Sequence, residues 1–203
     1  PLLDGEGMIS NEIAVRALLL NCLTSYYAKF WADNYSDTFR NATWTKKDSR
    51  LSNKVFSHLQ NEWNESTPLR RAYERRQAMV ELDVLVAMKI GMSLDQLNGA
   101  YRILFPTLQQ HERDTYYDAT GRIAYAKNNA LTGVGVSRLE FEGEFMNANS
   151  GQKFYRTITD DTTPGGPVER TIEYVAPFDR CDREQDYETA WKFFEEKYGK
   201  EAQ

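Results

Sequence analysis

The sequence has 203 residues, a formal net charge of −5 and a composition that is 41% hydrophobic and 13% aromatic. That is enough apolar material for one packed domain or two small ones, which excludes a chain disordered over most of its length, and the negative charge argues against a protein that coats nucleic acid. Two cysteines, Cys22 and Cys181, and two distant histidines, His58 and His111, lack the spacing of a structural zinc site.

The longest apolar run, Val84 to Met88, is far short of the ~20 residues that span a bilayer, so no membrane role is expected. The first residues, starting at Pro1, do not form a signal peptide. They read as a cut inside a longer cytoplasmic chain with reduced thiols. Charge is uneven along it: residues 1–66 carry 7 basic and 8 acidic side chains, 67–138 carry 10 and 7, and 139–203 carry 8 and 15.

From Asn11 to Tyr35 the residues Ile13, Ala17, Leu20, Leu23, Tyr27 and Phe30 fall at helical spacing, with Leu19 and Trp31 widening the stripe. One long amphipathic helix is predicted there. Residues 36–66 read as a polar loop with a short helix around Lys54–Trp63. Ser66-Thr67-Pro68 is a helix-start signal, and the next helix is predicted over Pro68–Ile90, with a basic, solvated first half and a buried second half. Gly91 ends it. Ser93 and Gln96 form a capping box opening a helix through about Phe105, and Pro106 stops or kinks that helix before a short turn over Thr107–Asp114.

The character then changes to β. Tyr116–Gly121 is predicted as a turn, Arg122–Ala126 as a strand, and Lys127–Gln152 as a long loop with little structure. Phe154–Thr159 and Val168–Val175 read as a hairpin around the Pro- and Gly-rich turn 162–167. Asp182 caps a C-terminal amphipathic helix with Tyr187, Ala190, Trp191, Phe194 and Tyr198 on one face. The expected fold is α+β: a helical region over 1–115 and a strand and hairpin region over 116–203 closed by the C-terminal helix.

Catalytic motifs are sparse. Gly133-Val134-Gly135 opens no helix and reads as a loop rather than a phosphate cradle. Glu195-Glu196-Lys197 lacks partner carboxylates, Asp160-Asp161 suits a turn, and Glu140, Glu142 and Glu144 read as one solvated strand face. Glu81 and Asp83 lie in the most apolar helix about 200° apart around its axis. They are expected to pair structurally with arginines such as Arg75, Arg76, Arg102 or Arg113. No catalytic residue and no metal ligand is assigned.

The binding candidates are basic. Arg70, Arg71 and Arg75 lie along one helix start, with Lys46 and Lys47 beside Trp44, all suited to phosphates. The polar residues Asn128, Asn129 and Arg138 are candidate base readers. A solvated helix start, with its arginines on internal acids, explains the same residues without DNA.

Four stretches resemble a known family. ERRQAMVELDVLVAMKIGMSLDQL, Glu74–Leu97, holds Glu81-Leu82-Asp83, the break Gly91-Met92-Ser93, and Asp95. It resembles the helix–Gly–helix segment near the C-terminus of large bacterial adenine-specific DNA methyltransferases, including fused type IIG restriction–modification enzymes. IAVRALLLNCLTSYYAKFW, Ile13–Trp31, is similar to the helix closing their target-recognition region. Glu112–Ala126 and Asp160–Trp191 resemble the tail of one subgroup. The resemblance implies a non-catalytic accessory or DNA-specificity region of such an enzyme, in a restriction–modification or phage-defence system. The family's S-adenosylmethionine motif and its Asn-Pro-Pro-Tyr motif are absent and would lie upstream, so no cofactor is expected in this region. The expected partners are DNA and the upstream methyltransferase domain. The alternative is a docking module that packs on other domains or subunits without touching DNA.

Overall fold

A computed structural model describes residues 7–52, 54–127, 135–161 and 165–199. It is α+β, and its contacts divide the chain into two units: residues 1–104 with 183–203, and residues 105–182. The sequence predicts a split near residue 115, with the C-terminal helix in the second part. In the structure that helix groups with the N-terminal residues.

The first unit holds α1 (Met8–Asn21), α2 (Ala28–Asn34), α3 (Lys54–Ser57), α4 (Ala72–Lys89), α5 (Leu94–Leu104) and α8 (Arg183–Tyr198). The single helix expected over 11–35 is broken in two. Its carbonyls find tertiary donors at the break: Leu19 O accepts from Leu69 N (3.0 Å), Leu20 O from Arg75 Nη1 (3.1 Å) and Cys22 O from Trp63 Nε1 (2.8 Å). With the last-turn acceptors satisfied from outside, the helix ends without a glycine. Of the predicted stripe, Ile13, Leu19, Leu20 and Trp31 are buried, whereas Leu23, Tyr27 and Phe30 are exposed.

Helix α4 starts at Ala72, four residues later than predicted. Thr67, Pro68 and Leu69 are buried as a non-helical entry instead. Its first half is not solvated either, because Tyr73, Glu74, Arg76 and Gln77 are all buried. Its end follows the sequence. Gly91 takes φ +76°, Gly91 N donates to Met88 O and Met92 N to Ala87 O, which closes the last turn. The Ser93–Gln96 box is formed at 2.8 and 3.2 Å.

The interior of this unit is partly ionic. Arg16 is completely buried, donating from Nε to Glu81 Oε2 (2.7 Å), from Nη2 to Thr43 O (2.9 Å), and also to Glu12. Glu81 Oε1 accepts from Thr45 N, Thr45 Oγ1 and Gln77 Nε2 at 2.7–3.0 Å. Glu12 Oε1 accepts from Lys197 Nζ (2.9 Å) and Tyr198 Oη (2.5 Å) on α8. The Arg16 guanidinium also lies 5.2 and 5.5 Å from the Phe56 and Phe194 ring centres. Burial pushes the Glu12 carboxyl up, but Arg16, Tyr198 and Lys197 outweigh it and hold the group below its ordinary range. Asp83 accepts from Arg183 Nη1 (2.8 Å) and Tyr187 Oη (2.6 Å). Glu81 and Asp83 pair with arginines, as expected, but these are Arg16 and Arg183, from the first and last helices, rather than the predicted Arg75, Arg76, Arg102 or Arg113.

The second unit holds α6 (Pro106–Asp114), β1 (Thr115–Tyr117), β2 (Ile123–Ala126), α7 (Arg138–Gly143), β3 (Lys153–Asp160) and β4 (Val168–Val175). Strands β1 and β2 pair antiparallel, and so do β3 and β4, in register from Lys153↔Val175 to Asp160↔Val168. Tyr116 and Tyr117, predicted in a turn, are strand. The turn is built around Asp118, fully buried, which accepts from Thr120 N, Thr120 Oγ1 and Arg122 N on Oδ1 and from Val175 N on Oδ2. Part of the loop predicted over 127–152 is helix α7, whose Ser137–Glu140 capping box was missed because Glu140, Glu142 and Glu144 suggested a strand period. Phe141 of α7 stacks on Tyr125 at 4.5 Å, and Phe145 on Phe154 at 4.1 Å, forming the aromatic core of this unit. No helix among the described residues is long and apolar enough to cross a membrane.

Candidate functional site at the start of helix α4

The first unit carries an open groove of about 370 Å³ where two loops meet the N-terminus of α4. One wall is a loop fixed by its own side chains. Asn64 Oδ1 accepts from Ser66 N (2.9 Å) and Ser66 Oγ (2.5 Å), and Thr67 Oγ1 accepts from Asn64 N (2.9 Å). These bonds replace the helix that Ser66-Thr67-Pro68 suggested and deliver Leu69 to the core, leaving Arg70 and Arg71 at the surface. The other wall is Ser52, Lys54, Val55 and His58.

Helix α4 begins at this groove without a side-chain cap. Arg71 is its N-cap residue, in extended conformation. The first turn carries the partial positive charge of the helix end. Glu74 lies in that turn, is 6% exposed, and lines the groove. Its Oε1 takes one long hydrogen bond from Ser52 N, 3.3 Å. Burial pushes its carboxyl above the ordinary range, more than the Ser52 amide and the Arg71 charge pull it down.

The basic residues singled out in the sequence separate into distinct fates. Arg75 donates Nη1 to Leu20 O and Leu69 O and so serves as a cap for α1 rather than a phosphate contact. Lys46 donates to Asp186 Oδ1 (2.6 Å) and lies 5.2 Å from the Tyr73 ring centre; Arg76 reaches the other Asp186 oxygen at 2.5 Å. Arg70 is exposed but tied to Glu65 Oε2 (2.8 Å), Glu65 O and Leu23 O. Arg71 and Lys47 are exposed and take no ion pair among the described residues. Arg138 pairs with Glu142 (2.7 Å) along α7. Asn128 and Asn129 lie outside the described residues. Of the predicted set, the groove gathers only Arg70 and Arg71. It adds Glu74, expected on a solvated helix start, and Lys54 and His58.

The neighbouring Asp48 is a structural acid. It accepts from Arg50 N, Nε and Nη2 and from Tyr73 Oη (2.7 Å), while the Arg50 guanidinium lies 4.0 Å from the Tyr73 ring centre. Burial raises the Asp48 carboxyl, but Arg50 and Tyr73 more than reverse this and hold it well below the usual carboxylate range. Among the described residues, no three His, Cys, Asp or Glu side chains gather where they could hold a metal ion. Compared with family models, with curated proteins and with solved structures, the chain has no match.

Proposed function

We propose that the chain is a non-catalytic accessory region of an S-adenosylmethionine-dependent adenine DNA methyltransferase, in a restriction–modification or phage-defence system, and that it acts by packing on other domains or subunits. The first half of this reading rests on the resemblance of Glu74–Leu97, Ile13–Trp31, Glu112–Ala126 and Asp160–Trp191. The S-adenosylmethionine site and the catalytic motif then belong to another part of a longer protein, and no residue here is assigned to hold the cofactor.

The observation that carries the second half is where the cations go. Arg16, Lys46, Arg75, Arg76 and Arg183 all have internal partners, several of them buried. Over the same unit, Leu23, Tyr26, Tyr27 and Phe30 hold apolar side chains in solvent, Tyr26 at 86% exposure. Cations turned inward with aromatics turned outward suit a protein partner better than a phosphate backbone.

Direct DNA contact is the second reading, favoured by the exposure of Arg71 and Lys47. A labelled mixed-sequence duplex, titrated at low and at near-physiological salt, separates the two. Docking expects no binding even at low salt. Binding that falls steeply with salt, and is weakened by Arg71→Ala with Lys47→Ala, overturns docking in favour of phosphate contact, each lost contact flattening the log–log slope by about 0.9.

A further inference from the structure

Strand β3 has one side that its own chain does not use. It pairs with β4 along its whole length, in register and without a bulge, from Lys153↔Val175 to Asp160↔Val168. From Lys153 to Thr159, no hydrogen bond leaves the opposite edge among the described residues. The outer edge of β4 is partly taken, since Val175 O accepts from Ala119 N (2.8 Å) and Val175 N donates to Asp118 Oδ2 (3.2 Å). A long, regular edge of unpaired N–H and C=O groups is a template for another strand unless a bulge, a proline or an unmatched charge blunts it. Strand β3 has neither bulge nor proline. The far half of the hairpin also lacks cover: Val168, Glu169, Arg170 and Thr171 are all exposed. A two-stranded ribbon alone is marginal in water.

The charges on β3 say what fits. Lys153 and Arg156 lie in its first half, and Asp160 ends it with Asp161 just beyond. Laid antiparallel against its own copy, such a strand sets the cations of one against the acids of the other. With Thr157 on the two-fold axis, Lys153 faces Asp161 of the second copy, Tyr155 faces Thr159, and Thr157 faces Thr157. Opposite charges, an aromatic against a β-branched residue, and Thr against Thr are cross-strand pairs that stabilise antiparallel sheets. All of these side chains stand exposed, Tyr155 at 65%. On the other face Phe154 meets Asp160 and Arg156 meets Ile158, so no like charges are opposed. The β4 edge does not match itself in this way, because the same arrangement about Thr171 sets Glu169 against Glu173.

We propose that the outer edge of β3 pairs antiparallel with the β3 edge of a second copy of this chain, joining the two hairpins into one continuous sheet across a two-fold axis at Thr157. The proposal goes beyond the docking reading, which concerns the aromatics of the first unit, and does not rest on it. The duplex titration leaves this edge untouched, so either can fail alone.

Analytical ultracentrifugation of the 203-residue chain, from low micromolar to near-millimolar concentration, provides the test. The mass should rise with concentration from one chain to two. Thr157→Lys sets two like charges face to face at the axis and should weaken association about tenfold. Lys153→Glu sets an acid against Asp161 at both ends of the pairing and should weaken it about tenfold as well. Adding Asp161→Lys to Lys153→Glu restores opposite charges and should recover the dimer. That recovery would not follow if Lys153 acted only within its own hairpin, where it donates to Glu173 (3.1 Å). Thermal melts check that each variant folds. A single-chain mass at every concentration, a dimer indifferent to Thr157→Lys, or a Lys153→Glu loss that Asp161→Lys does not recover overturns the proposal.

Discussion

Replacing Arg16 by methionine tests whether the ionic interior is a supporting element or a passive one. Arg16 is wholly buried and its guanidinium serves Glu81, Glu12 and Thr43 O at once. Removing it keeps most of the side-chain volume but strands Glu81 Oε2 without its cation. Glu12 retains Lys197 and Tyr198, so the uncompensated charge is centred on Glu81. Removing one partner of a buried pair costs about 3–5 kcal/mol. For a folding unit of this size that corresponds to a fall in Tm of about 10–15 °C. Urea and thermal unfolding followed by circular dichroism measure both. The double variant Arg16→Met, Glu81→Leu removes the stranded charge with its partner and should recover most of the loss, since apolar replacements of whole buried pairs are often neutral or better. A single variant within about 1 kcal/mol of the parent, or a double variant no more stable than the single, refutes the reasoning.

Two glycines of the same region should respond in opposite directions. Gly91→Ala forces a side chain into φ +76° and should cost about 1 kcal/mol; Gly99→Ala, inside α5 with open space around the added methyl, should stabilise by about 0.4–1 kcal/mol in chemical denaturation. Asp48 has a folded-state pKa depressed below its unfolded value, so its contribution is present above the unfolded value near pH ~4 and is lost as pH falls through the folded one. Melting profiles of Asp48→Asn against the parent should therefore differ most at neutral pH and converge below pH ~4. A gap that widens in acid would contradict the assignment. Ser137→Ala removes the side-chain acceptor for Glu140 N and should cost about 1 kcal/mol in thermal melts, with a deficit near zero meaning that α7 is held by Phe141 alone.

Elements are legible in the sequence where the decisive interaction is also local. The Gly91 stop, the Ser93–Gln96 box, the β3–β4 hairpin and α8 all depend on neighbours within a few residues or one turn. Elements are not legible where distant groups decide. The break after α1 depends on donors from Trp63, Leu69 and Arg75, and the late start of α4 depends on burial of residues 67–69. Helix α7 is a different failure, since acids at every second position imitate a strand even though Ser137 and Glu140 carry the capping signal. For the candidate groove, Arg70 and Arg71 were legible as surface cations. Glu74 was not, because nothing near it in sequence shows that the Ser52 loop closes over the first turn of α4.

The first unit is discontinuous in sequence, and this sets an order on its making. Glu12 waits for Tyr198, 186 residues later, and Lys46 and Arg76 wait for Asp186. At about 5–20 residues per second of synthesis, the early helices leave the ribosome well before the helix that neutralises them. Residues 105–182 are complete sooner and have their own aromatic core. The part made first is thus the last to be finished, and α8 acts as a proof of completion: a chain that stops short of it keeps buried-type charges without their counterparts.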